Sequence, residues 1–235
     1  MLNKKRAFTL AEVLITLAII GVVAALTIPT VTANYQKNQY VTQLKKTYST
    51  LSNGFRQAMA TDGVGKISNT TLTSLLRKDE DGFFLYEEAQ PDFVREFSKY
   101  FKVISYHDAE NGTTYADELH TSEPMSALGE TNDRSNFNAS DFLEFTLADG
   151  TIVFLYPQNS SYSDNFFFEI IVDVNGIKKP NKWGRDIFYF MLKNNGQLVP
   201  DILAETGPYS CNPSLADSGF GCAKRVMDAG WKMDY

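Results

Sequence analysis

Residues 6–29 read RAFTLAEVLITLAIIGVVAALTIP, and this stretch decides how the chain is organised. From Phe8 to Ile28 the one ionisable side chain is that of Glu12. The length is close to the ~20 residues that a helix needs to cross the hydrocarbon core of a bilayer, so the stretch predicts a membrane helix. A carboxylate inside such a helix costs at least ~2.5–3.5 kcal/mol on insertion scales, so Glu12 is expected to have a partner that lowers this cost.

The order of the features around Glu12 resembles the N-terminus of type IV prepilins, a family that includes the pseudopilins of type II secretion. These features are a basic leader, the sequence AFTLAE at residues 7–12, and an apolar helix broken by Pro29. The resemblance implies that a prepilin peptidase cuts between Ala7 and Phe8 and methylates the new amine of Phe8. It also implies that Glu12 meets the terminal amine of a neighbouring subunit. The residue before the cut is usually Gly in that family and is Ala here.

Elementary electrostatics agrees with this assignment of Glu12, because a new amine is cationic below its pKa of ~8 and would neutralise a buried carboxylate. Two other interpretations of the stretch remain open. One is a secretory signal peptide, with a basic start at residues 4–6 and small residues at 31–33, although its apolar run exceeds the usual ~7–15 residues. The other is an ordinary signal anchor, in which the FTLAE sequence is a coincidence.

The composition predicts one membrane stem and one globular head. We assign residues 1–7 to a leader, 8–29 to the membrane half of the stem helix, 30–61 to its amphipathic half and 62–235 to the head. The formal net charge is -6, and removal of Lys4, Lys5 and Arg6 with the leader lowers it to -9 before the termini are counted. Such an acidic chain argues against general nucleic-acid binding, which depends on a basic surface.

The basic leader also predicts the topology, because positive charges before a membrane helix stay in the cytoplasm. The chain is thus expected to span the inner membrane once, with the head outside the cytoplasm and later in an extracytoplasmic filament. Cys211 and Cys222 fall in that head, and in an oxidising compartment a disulfide between them is the default expectation. Similar Cys-closed loops near the C-terminus occur in pilins.

The head is predicted to be α+β, with the amphipathic half of a long N-terminal helix packed on an antiparallel sheet of about four strands. Apolar residues from Val41 to Met59 recur every three or four positions, as on one helix face. A shorter helix is expected around residues 72–76, and another after Pro91. Alternation around Asp149-Gly150 predicts a hairpin. Residues 166–174 and 187–192 are apolar on both parities, as expected of central strands, and residues 198–199 suggest a fifth, short edge strand.

The stretch from residue 107 to 138 is polar and lacks periodicity, which predicts a long exposed excursion suited to subunit-specific contacts. His107 and His120 lack the spacing of a metal pair, so we interpret them as solvated.

The connection between the two central strands raises the question of calcium. Asp173, Asn175, Asn181 and Asp186 supply side-chain oxygens of the kind that calcium takes as ligands. The same residues are also turn formers, and a turn in which Asp186 caps backbone amides is the simpler interpretation. No cofactor is therefore expected, with calcium as the alternative.

Taken together, the sequence predicts a structural subunit, either major or minor, of a type IV pilus or type II secretion pseudopilus. Its expected partners are prepilin peptidase, other pilin or pseudopilin subunits and an inner-membrane assembly platform. A membrane-anchored enzyme is disfavoured because no GxSxG, HExxH or Walker motif occurs and no cysteine adjoins a histidine. The remaining alternative is a filament-tip or membrane-anchored module that binds extracellular glycan or DNA.

Overall fold

The computed structural model describes residues 9–80, 84, 91–106, 143–158, 165–200, 210–211 and 219–235. The chain divides into two compact units, Met1–Gln39 and Tyr40–Tyr235. The fold is α+β, with a long N-terminal helix, an antiparallel sheet and a disulfide near the C-terminus. These three elements confirm the predicted fold class.

Helix α1 spans Leu10–Asp62 and begins in the first unit. The helix contains a window long and apolar enough to cross a membrane, and none of that window is buried inside the protein. Its large apolar side chains are instead exposed: Leu10, Val13, Leu14, Ile15, Leu17, Ile19, Ile20, Val22, Val23, Leu26, Ile28 and Val31. Because they surround the helix, the described part of the first unit has no buried face of its own.

Helix α1 continues through Pro29, so the prediction of a helix break at this residue is wrong. A proline removes one backbone N–H, here the donor to the carbonyl of Ala25, and leaves the other helical hydrogen bonds in place. The hydroxyl of Thr27 also donates to the carbonyl oxygen of Val23 at 2.9 Å. In a helix of 53 residues, the loss of one bond does not end the helix.

The second unit buries one face of α1 through Tyr40, Val41, Leu44, Leu51, Phe55 and Ala58, which confirms the predicted spacing. Three shorter helices are described in this unit: α2 at Thr71–Ser74, α3 at Pro91–Tyr100 and α4 at Cys222–Asp228. A 3-10 helix at Ile67–Asn69 precedes α2. The short helix expected near residue 72 and the helix expected after Pro91 are therefore present.

Among the described residues the sheet has six antiparallel strands in sequential order, not about four. They are β1 Val103–Tyr106, β2 Leu143–Leu147, β3 Ile152–Pro157, β4 Phe166–Asp173, β5 Ile187–Lys193 and β6 Leu198–Pro200. The predicted hairpin joins β2 to β3, and the predicted short edge strand is β6. Strand β1 has no counterpart among the predicted strands. Its side chains are mostly exposed, and it is held by backbone pairing to β2 with an irregularity between Val103 and Ser105.

Both faces of the central strands are covered, as the apolar residues on both parities predict. One face joins α1, α3 and α4 in the main core, where the ring of Phe55 lies 5.1 Å from that of Phe101 and 6.1 Å from that of Phe168. The opposite face forms a smaller cluster of Ile152, Phe154, Ile171, Trp183, Ile187 and Tyr189. Phe220 of the C-terminal segment stacks on Trp183 with ring centroids 4.6 Å apart.

Candidate functional site

The carboxylate of Glu12 is bound by Thr9, the residue immediately before α1. The backbone N–H and the hydroxyl of Thr9 both donate to Glu12 Oε2 at 2.8 Å. In return, the N–H of Glu12 donates to Thr9 Oγ1 at 3.3 Å. This reciprocal arrangement is a capping box, which satisfies backbone donors left unpaired at a helix N-terminus.

The capping box gives Glu12 a partner within its own chain. This intramolecular partner was not predicted from the sequence. The signal was present, because Thr9 and Glu12 have the Thr-x-x-Glu spacing typical of such a box. Both residues are exposed at the start of the helix. The positive end of the helix dipole lies at this terminus and favours a negative charge there. The predicted cleavage residues Ala7 and Phe8 lie outside the described residues, so the position of the new amine remains a prediction.

The loop between β4 and β5 brings the four predicted calcium ligands together. The two aspartates are fully buried and lie at the ends of adjacent antiparallel strands. Asp186 accepts from the N–H of Asn181 at 2.9 Å and from that of Lys182 at 2.6 Å. Asp173 accepts from the N–H of Asn175 at 3.1 Å. Their carboxylates therefore already hold the backbone turns of this loop, as the simpler interpretation expects.

Two oxygens in the loop are unaccounted for. The Oδ1 atoms of Asn175 and Asn181 are buried and have no hydrogen-bond partner among the described residues. Within the same part of the chain, no group of three or more His, Cys, Asp or Glu side chains is placed to hold a metal. Calcium binding here stays a prediction. A chelator that lowers the melting temperature of the native chain, with no effect on Asp173→Ala, is the result that would support it.

Burial raises the pKa of the Asp186 carboxyl above its ordinary value, because a charged form is costly away from water. Hydrogen bonds from Lys182 and Asn181 act in the opposite direction and offset only part of this rise. A turn built on this carboxylate is therefore a compact, desolvated structure and not an open acidic surface.

In its described residues, the C-terminal segment from Cys211 to Tyr235 is held against the loop between β4 and β5. Cys211 and Cys222 form the predicted disulfide, and a Cβ added at Gly184 would collide with the Cys222 sulfur. The hydroxyl of Tyr235 donates to the carbonyl of Gly184 at 2.5 Å. Arg225 connects both ends of the segment by donating to the carbonyl of Cys211 at 2.9 Å, while its guanidinium lies over the Tyr235 ring. The last residues of the chain thus clamp the loop between β4 and β5.

The predicted polar excursion, residues 107–138, lies outside the described residues together with His107 and His120. Its exposure and its role in subunit contacts therefore remain predictions.

Residues 2–28 match the family model for the prokaryotic N-terminal methylation motif. This motif is the signature of type IV prepilin and pseudopilin-like proteins. The chain carries a prepilin signature. The signature implies processing by prepilin peptidase and assembly with other pilin subunits, and it supports a pilin-like or pseudopilin-like protein. Searches of curated proteins and of solved structures give no significant match.

Proposed function

We propose that the chain is a structural subunit of a type IV pilus or a type II secretion pseudopilus. It is stored in the membrane after prepilin peptidase processing and is then assembled into a filament. The observation that carries this proposal is the continuity of the prepilin signature at residues 2–28 with α1, whose first part leaves its apolar side chains exposed. An exposed apolar helix requires either lipid or other apolar helices around it.

The storage state and the assembled state satisfy this requirement in different ways. In the bilayer, lipid surrounds the apolar part of α1, and in a filament the stems of neighbouring subunits take its place. A subunit that contacts its neighbours through two different surfaces adds further copies in an open helical array. One apolar stem joined to one acidic head is suited to such an array.

The capping box supports an assembly role for Glu12. Thr9 already supplies two donors to one carboxylate oxygen, so the charge is held at the start of α1 before any neighbour arrives. We infer that the methylated Phe8 amine of a neighbouring subunit then approaches this carboxylate. An opposite charge in an apolar setting offsets part of the desolvation cost of both groups.

The proposed location is the inner membrane, crossed once, with the N-terminus in the cytoplasm and the head outside it. The proposed partners are prepilin peptidase, other pilin or pseudopilin subunits and the inner-membrane assembly platform. Proteins with this signature are structural, and we propose that this chain likewise has no enzymatic activity. A glycan- or DNA-binding role at a filament tip is not favoured by any observation on the described residues.

Intact-mass analysis of the chain from cells with and without prepilin peptidase tests the proposal. We expect loss of residues 1–7 and gain of one methyl group on Phe8 when the peptidase is present. Ala7→Gly restores the usual residue before the cut and should be processed at the same bond, whereas the bulkier Ala7→Leu should slow processing. A mature chain that begins at Met1 or Asn34 would contradict the proposal.

A further inference from the structure

The loop between β4 and β5 presents an apolar side chain among cations. Ile177 is 71% exposed, whereas most large apolar side chains described in the second unit are buried. The stretch between the two buried aspartates contains no acid and four cations: Lys178, Lys179, Lys182 and Arg185. In a chain of net charge -6, this is a local concentration of positive charge beside an exposed isoleucine.

The tip of the loop is held in one conformation by its own polar residues. The side-chain amide of Asn175 donates to the carbonyl of Lys178 at 2.9 Å. Gly176 has a positive φ of 67° and packs so closely on the carbonyl of Gly150 that a Cβ would collide with it. A surface that is already ordered loses little conformational entropy when it binds.

The same contacts place the loop beside the start of the second unit. Gly150 belongs to the β2–β3 turn, which is tied to α1 by an ion pair of 2.9 Å between Asp149 and Lys46. Burial raises the pKa of Tyr40, the first residue of the unit, and the nearby charge of Asp186 adds to the rise. The loop therefore lies near the point where the chain enters the second unit.

If the stem spans the bilayer, a short length of helix separates that point from the end of the membrane span. Tyr40 follows Pro29 by eleven residues, and at ~1.5 Å per residue these cover about 16 Å of helix. The headgroup region on each side of the hydrocarbon core is roughly 5–8 Å thick. Electrostatic attraction extends about another 8–10 Å at ordinary ionic strength, so it acts over most of the helix between Pro29 and Tyr40.

We propose that the loop from Val174 to Arg185 docks on anionic phospholipid headgroups of the leaflet from which the head emerges, with Ile177 inserted at the interface. The inference rests on the membrane-anchored state in the proposed function. An exposed apolar residue flanked by lysines is a combination suited to the interface, where the apolar part enters the acyl boundary and the ammonium groups meet phosphate. The stem also joins the head covalently to the membrane, which raises the effective concentration of lipid relative to any free partner.

The acidic head of a second copy is the competing partner, because it offers charge complementarity as well. It does not account for the exposed isoleucine beside the lysines, and it has no tether that keeps it near the loop when copies are dilute. Lipid is therefore the partner that the observations favour.

The test uses the full-length chain in lipid nanodiscs loaded with either one copy or two. A fluorophore sensitive to polarity is attached to Ile177→Cys, since both native cysteines are in the disulfide. The same fluorophore on Gly65→Cys, an exposed position after the far end of α1, reports on the label alone. The discs contain phosphatidylcholine, either alone or with about a third of phosphatidylglycerol. Lipids with brominated acyl chains serve as a shallow quencher of the fluorophore.

We expect the label at position 177 to be blue-shifted and quenched in anionic discs, less so in zwitterionic discs and at high salt. Each basic residue near an anionic surface contributes roughly a fivefold preference, so Lys178→Glu with Lys179→Glu should lower the docked-to-undocked ratio by at least about 25-fold. The matched control reverses Arg56 and Lys66, two exposed cations near the C-terminal end of α1, and should leave the ratio unchanged.

Three outcomes would contradict the inference in distinguishable ways. A chain that does not enter the discs contradicts the membrane-anchored proposal itself. An inserted chain whose label at position 177 stays as polar as that at position 65 in anionic discs contradicts only the docking. Protection of the label that needs two copies in one disc, and that does not depend on phosphatidylglycerol, would assign the loop to the second copy.

Discussion

Helix α1 contains two regions of opposite character. Leu17 in the first unit is largely exposed, whereas Leu44 in the second unit is fully buried, although both are leucines of the same continuous helix. The first region is apolar on all sides, and the second is apolar on one face only. A helix of the first kind needs an apolar environment from outside the chain, and one of the second kind builds a core with its own sheet. Assembly and folding are therefore expected to depend on different parts of one helix.

The largest expected effect concerns Glu12, in the first region. Glu12→Gln keeps the size of the side chain but removes the charge that we propose to attract a neighbouring amine. We expect a chain that is cleaved, inserted and folded, yet enters filaments poorly or not at all, as measured by the sheared filament fraction. Thr9→Val, which removes the capping hydroxyl but keeps the carboxylate, serves as the control and should lose far less. Normal incorporation of Glu12→Gln would mean that the acid has no such partner.

The second prediction concerns a buried residue of the second region. Phe55→Ala removes a fully buried ring that contacts Phe101 and Phe168, so the free energy of unfolding of the head should fall by about 3–5 kcal/mol. Leu17→Ala on the exposed region is the matched control and should leave the stability of the head unchanged in denaturant unfolding. Equal losses for the two variants would remove the distinction between the regions.

Much of the second unit could be predicted because its side chains carry the pattern of their burial. The three- or four-residue spacing from Val41 to Met59 located the buried face of α1, and Asp149-Gly150 located the hairpin. The C-terminal disulfide followed from the compartment and the cysteine count. Each of these features depends on local chemistry that a single sequence displays.

The features that were predicted wrongly or not at all depend on interactions that a hydrophobic pattern does not show. Strand β1 is exposed along most of its length and is held by backbone pairing with β2, so its side chains carry no alternation. Pro29 was expected to break a helix, but one lost hydrogen bond is small against the length of α1. At the candidate site, the partner predicted for Glu12 was the amine of another subunit. The hydrogen bonds from Thr9, three residues earlier in the same chain, were not predicted.

The third prediction concerns the disulfide, which is expected to affect the stability of the head but not the membrane part of α1. Closing the short loop between Cys211 and Cys222 should contribute roughly 3 kcal/mol to the stability of the head in the chain-entropy model. Reduction should thus lower the denaturation midpoint of the head without affecting membrane insertion. Cys211→Ser with Cys222→Ser should be equally destabilised and insensitive to reductant. Thiol labelling of the folded, unreduced chain should fail.

The smallest expected effect concerns Tyr235, whose hydroxyl donates to the carbonyl of Gly184. Tyr235→Phe should cost about 1 kcal/mol at neutral pH, the net value of one such hydrogen bond. Burial raises the pKa of Tyr235, so the native head keeps the phenol neutral while the unfolded chain ionises above about pH 10. Stability should therefore fall as the pH rises beyond that value, and Tyr235→Phe should remove part of this fall in alkaline unfolding curves.

Gly54 gives the buried region of α1 a mechanical property. It faces the ring of Phe101 so closely that a Cβ at this position would collide with the ring. If the helix slid by one turn along its axis, about 5.4 Å, Thr50 or Ala58 would reach that place, and each carries a Cβ. The close contact between Gly54 and the Phe101 ring therefore fixes the axial position of the helix in the head. In the filament assembly that we propose, a pull on the stem would be transmitted through this contact to the head and would not draw the helix out of it.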